Sequence, residues 1–245
     1  MHALICFLIF MAGSCFGSFL HVCLRRNDWK HGRSRCDHCG YTLKWFDLIP
    51  VFSFLIFRGK CRKCKGKISI SHFVSELMMG ASFLCSFFCF TYYGFEYAIT
   101  VFVGLCFLTV AAIQDYIEKQ IYVNILYGGI ISTAAAHIIQ LYLAEQYFDI
   151  VLFIEIAIVL KIIFTLLTKY TKDKIGDGDY DLFLIMYCIC GGWGAVYAVT
   201  IACVTGCAIY IPLILMKKTE KNQIMPFAPL LLIGTIAELS MKMFM

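Results

Sequence analysis

Charge and proline are both scarce in this chain, and what charge there is gathers in a few places. Only 15% of the 245 residues are charged and only four are proline, while 61% are apolar. Soluble domains carry about 25% charged residues and are less than half apolar, so this balance argues against a soluble enzyme. With 22 phenylalanines, the chain is also unlike a disordered polymer. Nothing in the first apolar run resembles a cleavable signal either. The first apolar run, Ala3 to Leu24, has no basic n-region and no A-x-A site, so it is expected to be retained as a helix. There is no repeat of solenoid length and no low-complexity tract.

What the chain has in abundance is long apolar runs, at about 3–24, 71–93, 97–114, 121–143, 149–168, 180–190, 195–216 and 224–244. A membrane span needs about 20 apolar residues, and lipid-exposed backbone must bond to itself, so each run reads as a helix. The expected architecture is all-α: a polytopic membrane bundle of about eight helices, with the 180–190 run short enough to be a half-length or tilted one. The organisation that follows is a first transmembrane helix over 1–24, a polar insertion over 25–70 and a helix bundle over 71–245. Twelve Lys and Arg lie between Arg25 and Lys67, against Asp28, Asp37 and Asp47. Flanked by apolar runs, this segment reads as a positive-inside loop rather than a nucleic-acid surface. Grouping 25–70, 115–120, 169–178 and 217–223 on one side collects nineteen of the 21 basic residues there. That side is expected to be cytoplasmic and the N-terminus outside, in a bacterial inner membrane.

Ten of the fourteen cysteines lie in or beside apolar runs, where free Cys packs as a small hydrophobe. The other four form two pairs in the basic loop, Cys36-x-x-Cys39 and Cys61-x-x-Cys64. Two such knuckles can hold Zn²⁺ tetrahedrally at about 2.3 Å, and a full shell of four thiolates makes the metal structural. Gly40 and Gly66, just past each second Cys, suit tight turns. His38 reads as a solvated bystander, and Asp47 as a local turn or salt-bridge residue.

The acidic residues are sparse enough to be informative. Asp115 ends the third run, and Gly176-Asp177-Gly178-Asp179 opens the sixth. Either aspartate alone is an ordinary interface residue. Two carboxylates brought together share one proton and can activate water while protonating a peptide oxygen, and Gly176 and Gly178 let a chain approach Asp179 closely. Ion or proton transport by intramembrane carboxylates is the rival reading, as is a membrane binding module that uses the cysteine loop. Lys161, in mid-run, is expected to pair with Glu155 six residues before it. His137 is expected to be a hydrogen-bonded buried histidine. Gly13-Ser14 and Gly17-Ser18 form a small-residue stripe suited to close helix packing.

Several stretches resemble one family. Ser34 to Glu76, SRCDHCGYTLKWFDLIPVFSFLIFRGKCRKCKGKISISHFVSE, is similar to the cytoplasmic domain of bacterial type IV prepilin peptidases. GSFLHVCLRR from Gly17, IQDYIEKQI from Ile113, GDGD from Gly176 and PFAP from Pro226 resemble further family elements in the family's order. The resemblance implies a G-x-G-D intramembrane aspartyl protease that removes the short basic leader of prepilins or pseudopilins at the cytoplasmic membrane face. In bifunctional members it implies N-methylation of the new N-terminus with S-adenosylmethionine. Asp115 and Asp179 take the catalytic positions, Cys36, Cys39, Cys61 and Cys64 the zinc positions, and Glu76 that of a Glu opening the second helix. The chain departs from the family at Tyr122 (for Pro), His21 (for Asn), Asp181 (where Lys is common) and in PFAP (for PFGP). No catalytic carboxylate is lost.

Overall fold

The computed structural model describes residues 2–25, 34–36, 38–171, 177–216 and 226–244. The apolar runs are helices: α1 (His2–Arg25), a short α2 (Phe52–Ile56) preceded by a 3₁₀ turn at Trp45–Leu48, α3 (Ile70–Tyr93), α4 (Phe95–Glu118), α5 (Val123–Leu143), α6 (Tyr147–Thr171), α7 (Asp177–Leu215) and α8 (Ala228–Phe244). Among the described residues the only extended pairing is two isolated bridges, Arg35–Thr42 and Lys60–Lys67. Six of the helices are long and apolar enough to cross a membrane.

α7 is two helices in one, broken at Gly191 with φ 77° and ψ 179°, a conformation a side chain would resist. Its first half, 177–190, runs antiparallel to α4: Gly104 lies against Ile189, and Phe107 and Ile185 both lie against Gly129 of α5. Its second half, 192–215, runs antiparallel to α8, with Gly194 against Glu238 and Gly206 against Leu230. α8 starts beside Asp115 near the end of α4 and finishes with Lys242 over the rings of Tyr93 and Tyr97 at the other end. The two halves of α7 therefore point in opposite directions, and the chain reverses at Gly191. Counting them separately and adding the 17-residue α8 gives the eight membrane segments expected. At 1.5 Å per residue, the first half of α7 spans about 21 Å, less than a hydrocarbon core of about 30 Å, so it is the shortened helix anticipated at 180–190.

The chain divides into two compact units, Met1–Leu84 and Cys85–Met245. In the first, Gly13, Ser14 and Gly17 are buried against the start of α3. A methyl at Gly17 would meet the Ser75 carbonyl at 2.6 Å, and one at Gly80 would meet Ser14 Oγ at 2.5 Å. The small-residue stripe thus serves close helix packing, as membrane helices that lack a hydrophobic drive to associate require. Beside it His21 is fully buried, with Nδ1 3.2 Å from the Ser75 hydroxyl and its ring 3.9 Å from that of His72.

The second unit centres on Leu105, Leu108, Ile185, Met186, Leu231 and Leu232, all fully buried. α6 lies outermost, and Phe153 is its only side chain among those described to be buried, stacked on Tyr187 at 5.4 Å. Ile156, Ala157, Leu160 and Phe164 pack part-buried against the same core, and the exposed remainder of its apolar surface faces where lipid belongs. Nearby, His137 hydrogen-bonds Gln140 and sets its ring edge against Phe153 at 5.0 Å, a structural arrangement and not a ligand site.

The tightest glycine contact among the described residues of this unit is at Gly234, where a Cβ would run into the Ala198 carbonyl. Gly234→Val should lower the melting midpoint in detergent by about 3–10 °C, because overpacking costs about 1–3 kcal/mol. Gly128→Ala, whose methyl would meet nothing nearer than Phe107 at 3.6 Å, should not. Equal midpoints for the two variants would mean that α7 and α8 do not approach this closely.

Candidate functional site

The two cysteine pairs are built alike. In the first, the Cys36 amide donates to Tyr41 O and the Gly40 amide to Cys36 O, both at 2.9 Å. In the second, the Cys61 amide donates to Gly66 O at 2.8 Å and the Lys65 amide to Cys61 O at 2.9 Å. Each is a tight hairpin closed by one bridge, Arg35–Thr42 or Lys60–Lys67. All four sulfurs lie within 4.8 Å of one another, and Cys36 Sγ is 3.9 Å from Cys64 Sγ. Tetrahedral Zn–S bonds of about 2.3 Å require sulfurs about 3.8 Å apart; the Cys36–Cys64 pair is already near that spacing, and the four together need to close by at most about 1 Å to hold a zinc ion. Cys61, the buried member, has its thiol pulled down to about 7, first by a hydrogen bond from the Cys64 amide and against the effect of burial. Thiolate is the form a metal binds.

Two expectations about this loop need correction. The left-handed residue after the second cysteine is Gly40 (φ 66°) in the first hairpin but Lys65 (φ 60°) in the second. Gly66 is required for space instead, since a Cβ there would lie 2.9 Å from His38 Cδ2. His38 is no bystander: its Nε2 is 3.1 Å from the Lys67 carbonyl, tying the first hairpin to the second. Asp47 does act locally, its Oδ2 accepting the Lys44 amide at 3.0 Å. Asp37 lies outside the described residues.

Glu76, on α3, is buried and accepts the Val51 amide at 2.7 Å. Val51 holds φ 64°, which a β-branched residue strongly resists. The charged acceptor helps to hold that turn, linking the loop to the start of α3.

Asp115 sits in the last turn of α4, half-buried. Its Oδ2 accepts the Ala228 amide at 2.8 Å, and the Phe227 amide bonds to the same carboxylate. The first amides of a helix have no partner within it, and here a carboxylate from another helix supplies one. The PFAP segment thus holds Asp115 in place, a role its sequence did not disclose. The neighbouring Gln114 is fully buried; its Oε1 accepts the Tyr122 amide at 3.3 Å and its Nε2 has no partner. It is a buried polar residue that the motifs did not single out.

Asp179 is half-buried near the start of α7. Ile189 lies against Gly104, and Ile185 and Phe107 both lie against Gly129; carried on at 1.5 Å per residue, that antiparallel register sets residues 178–179 level with 114–115. Gly178 adjoins Leu126, one turn into α5, whose cap Tyr122 is bonded to Gln114. Both aspartates therefore lie at the same end and the same height of neighbouring helices. Gly176 lies outside the described residues. Beside Asp179, Tyr180 donates to the Ala157 carbonyl at 3.1 Å and carries Lys161 Nζ 4.3 Å above its ring. The expected Lys161–Glu155 pair is not formed. Six residues along a helix is about 240° around it, which puts Glu155 on another face, and the cation rests on an aromatic ring instead.

Residues 11–90 match the family model of the Bacterial Peptidase A24 N-terminal domain. The chain is a relative of the type IV prepilin peptidases. It is 36% identical over 95 residues to the prepilin leader peptidase/N-methyltransferase of Myxococcus xanthus, covering 37% of this chain and 28% of that protein. It is 27% identical over 245 residues to the Bacillus subtilis protein of the same name, covering 94% and 91%. It is also 28% identical over 217 residues to a type 4 prepilin-like proteins leader peptide-processing enzyme of Escherichia coli, covering 86% and 76%. The match to the Myxococcus protein thus spans under a third of its length, while the Bacillus and Escherichia proteins align along most of theirs. No solved structure matches.

The purified protein should carry about one zinc per chain, measured by elemental analysis. Cys61→Ser should lose it, since three thiolates and a hydroxyl bind far more weakly. A metal-free wild-type protein prepared without chelator would rule the site out.

Proposed function

We propose that this chain is a membrane endopeptidase that removes the short basic leader of type IV prepilins or pseudopilins, working at the cytoplasmic membrane face. The observation that supports the reading is the antiparallel register of α4 and the first half of α7, which by helix geometry sets Asp115 and Asp179 at one height, in a chain whose aligned relatives are named as prepilin leader peptidases. The concentration of basic residues in the loops at that end supports its cytoplasmic orientation.

In this mechanism the two carboxylates hold one proton between them. The ionised member takes a proton from a water molecule as the oxygen adds to the scissile carbonyl. The protonated member gives its proton to the carbonyl oxygen, and a neutral gem-diol forms. One carboxyl then gives its proton to the amide nitrogen while the other carboxylate takes one from a gem-diol hydroxyl as the C–N bond breaks, releasing leader and mature protein with no acyl-enzyme and restoring the one shared proton. The amides of Phe227 and Ala228 hold Asp115 in one orientation throughout. The short first half of α7 keeps Asp179 at the edge of the hydrocarbon, where little water competes.

We also infer that the enzyme methylates the new N-terminus. S-adenosylmethionine would supply an electrophilic methyl group, and the four cysteines would hold a structural zinc that organises the loop. With four thiolates the metal keeps no open position for a substrate, so its work is architectural.

Asp115→Asn and Asp179→Asn should each reduce cleavage of a synthetic prepilin by at least about 10³-fold, with insertion and melting intact, while Asp177→Asn should retain most activity. Mass spectrometry of the product N-terminus reads cleavage and methylation together. Near wild-type cleavage by either of the first two variants would end the two-aspartate mechanism. Cys61→Ser should abolish methylation and weaken cleavage less; a variant that methylates but cannot cleave would reverse that division of labour.

A further inference from the structure

Within the unit Met1–Leu84 lies a cavity of about 440 Å³, lined by Ser18 and Glu76 from the helices, Asp47 from the 3₁₀ turn, Phe57 after α2, and Cys36 and Cys61 from the hairpins. It is far too large for an ion and falls in the range of pockets that enclose nucleoside-sized molecules. Its lining is chemically mixed. Tyr41 and Phe57 supply aromatic surface of the kind on which planar bases stack. Arg25 and Lys60 supply cations that suit a carboxylate.

Asp47 narrows the choice. One of its oxygens is used by the Lys44 amide, while Oδ1 is buried with no partner. A buried acceptor of this kind is normally satisfied, and a carboxylate can accept only from hydroxyl or N–H donors. Ribose hydroxyls are such donors, and acidic side chains hold them in other nucleotide sites. A simple phosphate or an anionic headgroup would instead be repelled by Asp47 and by Glu76, which lines the same space. A ligand carrying a nucleoside, an ammonium, a carboxylate and a sulfonium meets each of these groups with a complement.

We propose that this cavity is the S-adenosylmethionine site, with Asp47 Oδ1 accepting from the ribose hydroxyls, a proposal that rests on the methyltransferase half of the reading above. Cys36 and Cys61 form part of the wall, so the cysteine cluster shapes the site, while a metal held by four thiolates would leave no position for the donor. That gives the metal loop a physical route to methylation separate from proteolysis.

Equilibrium binding of radiolabelled S-adenosylmethionine to the zinc-loaded full chain in detergent tests this without turnover. Wild type should bind, with S-adenosylhomocysteine competing and inorganic phosphate not. Asp47→Asn keeps a carbonyl oxygen for the Lys44 amide but removes the charge, and should weaken binding about tenfold or more with zinc content and melting midpoint unchanged. Phe57→Ala should weaken it as well. Wild-type affinity in both variants would put the donor elsewhere and leave the methyltransferase reading standing. Competition by phosphate as strong as that by S-adenosylhomocysteine would reduce the cavity to an anion site and overturn the assignment. A wild type that cleaves prepilin yet binds no donor would remove the methyltransferase reading, and the site with it.

Discussion

Hydrocarbon has no water to offer a peptide amide that lacks a partner, and a helix that begins at the membrane edge exposes several such amides. In the unit Cys85–Met245 the problem is met at the start of α8 by Asp115, whose carboxylate accepts the Ala228 amide at 2.8 Å. The same contact solves a second problem, since a charge at a membrane boundary needs donors around it. Each group is tolerable there because of the other. From this contact the arrangement of the unit follows: α8 must start where α4 ends, the second half of α7 must descend beside α8, and the reversal at Gly191 must return the first half to α4. Asp179 reaches its height through that chain of constraints.

The unit Met1–Leu84 applies the same economy with different groups. Its loop is too short to bury a core of its own, so its order depends on a few strong local interactions. Four sulfurs converge within 4.8 Å, and His38 ties one hairpin to the backbone of the other. Glu76 clamps a turn whose Val51 would not otherwise hold a positive φ. A metal ion bound there would add what an apolar core supplies in larger domains.

Exclusion of water leaves a compositional trace, and for that reason the helices were legible in the chain: the runs at 71–93 and 121–143 fall within a residue or two of α3 and α5. The cysteine cluster was legible because ligand spacing is short-range. What escaped were features set by contacts between distant segments. Nothing in PFAP states that its amides meet a carboxylate 113 residues earlier. Lys161 looked like half of an ion pair because sequence distance is easily read and helical phase is easily overlooked; its neighbour proved to be Tyr180, on another helix. Gly66 carried the right residue for the wrong reason, since the hairpin it belongs to takes its left-handed residue at Lys65 and needs Gly66 only to seat a histidine ring.

The turns at one end of the bundle have a consequence for how the protein meets its surroundings. α3 passes to α4 through Gly94 alone, α5 to α6 through Ala144, Glu145 and Gln146, and the halves of α7 meet at Gly191. Those connections are too brief to offer a protease a cleavable strand or an antibody a folded epitope. In the unit they join, one compartment sees little more than helix tips, while the opposite end carries the longer connections and the polar groups. A binding partner or inhibitor for this part of the molecule must therefore come from that opposite end, or laterally through the lipid.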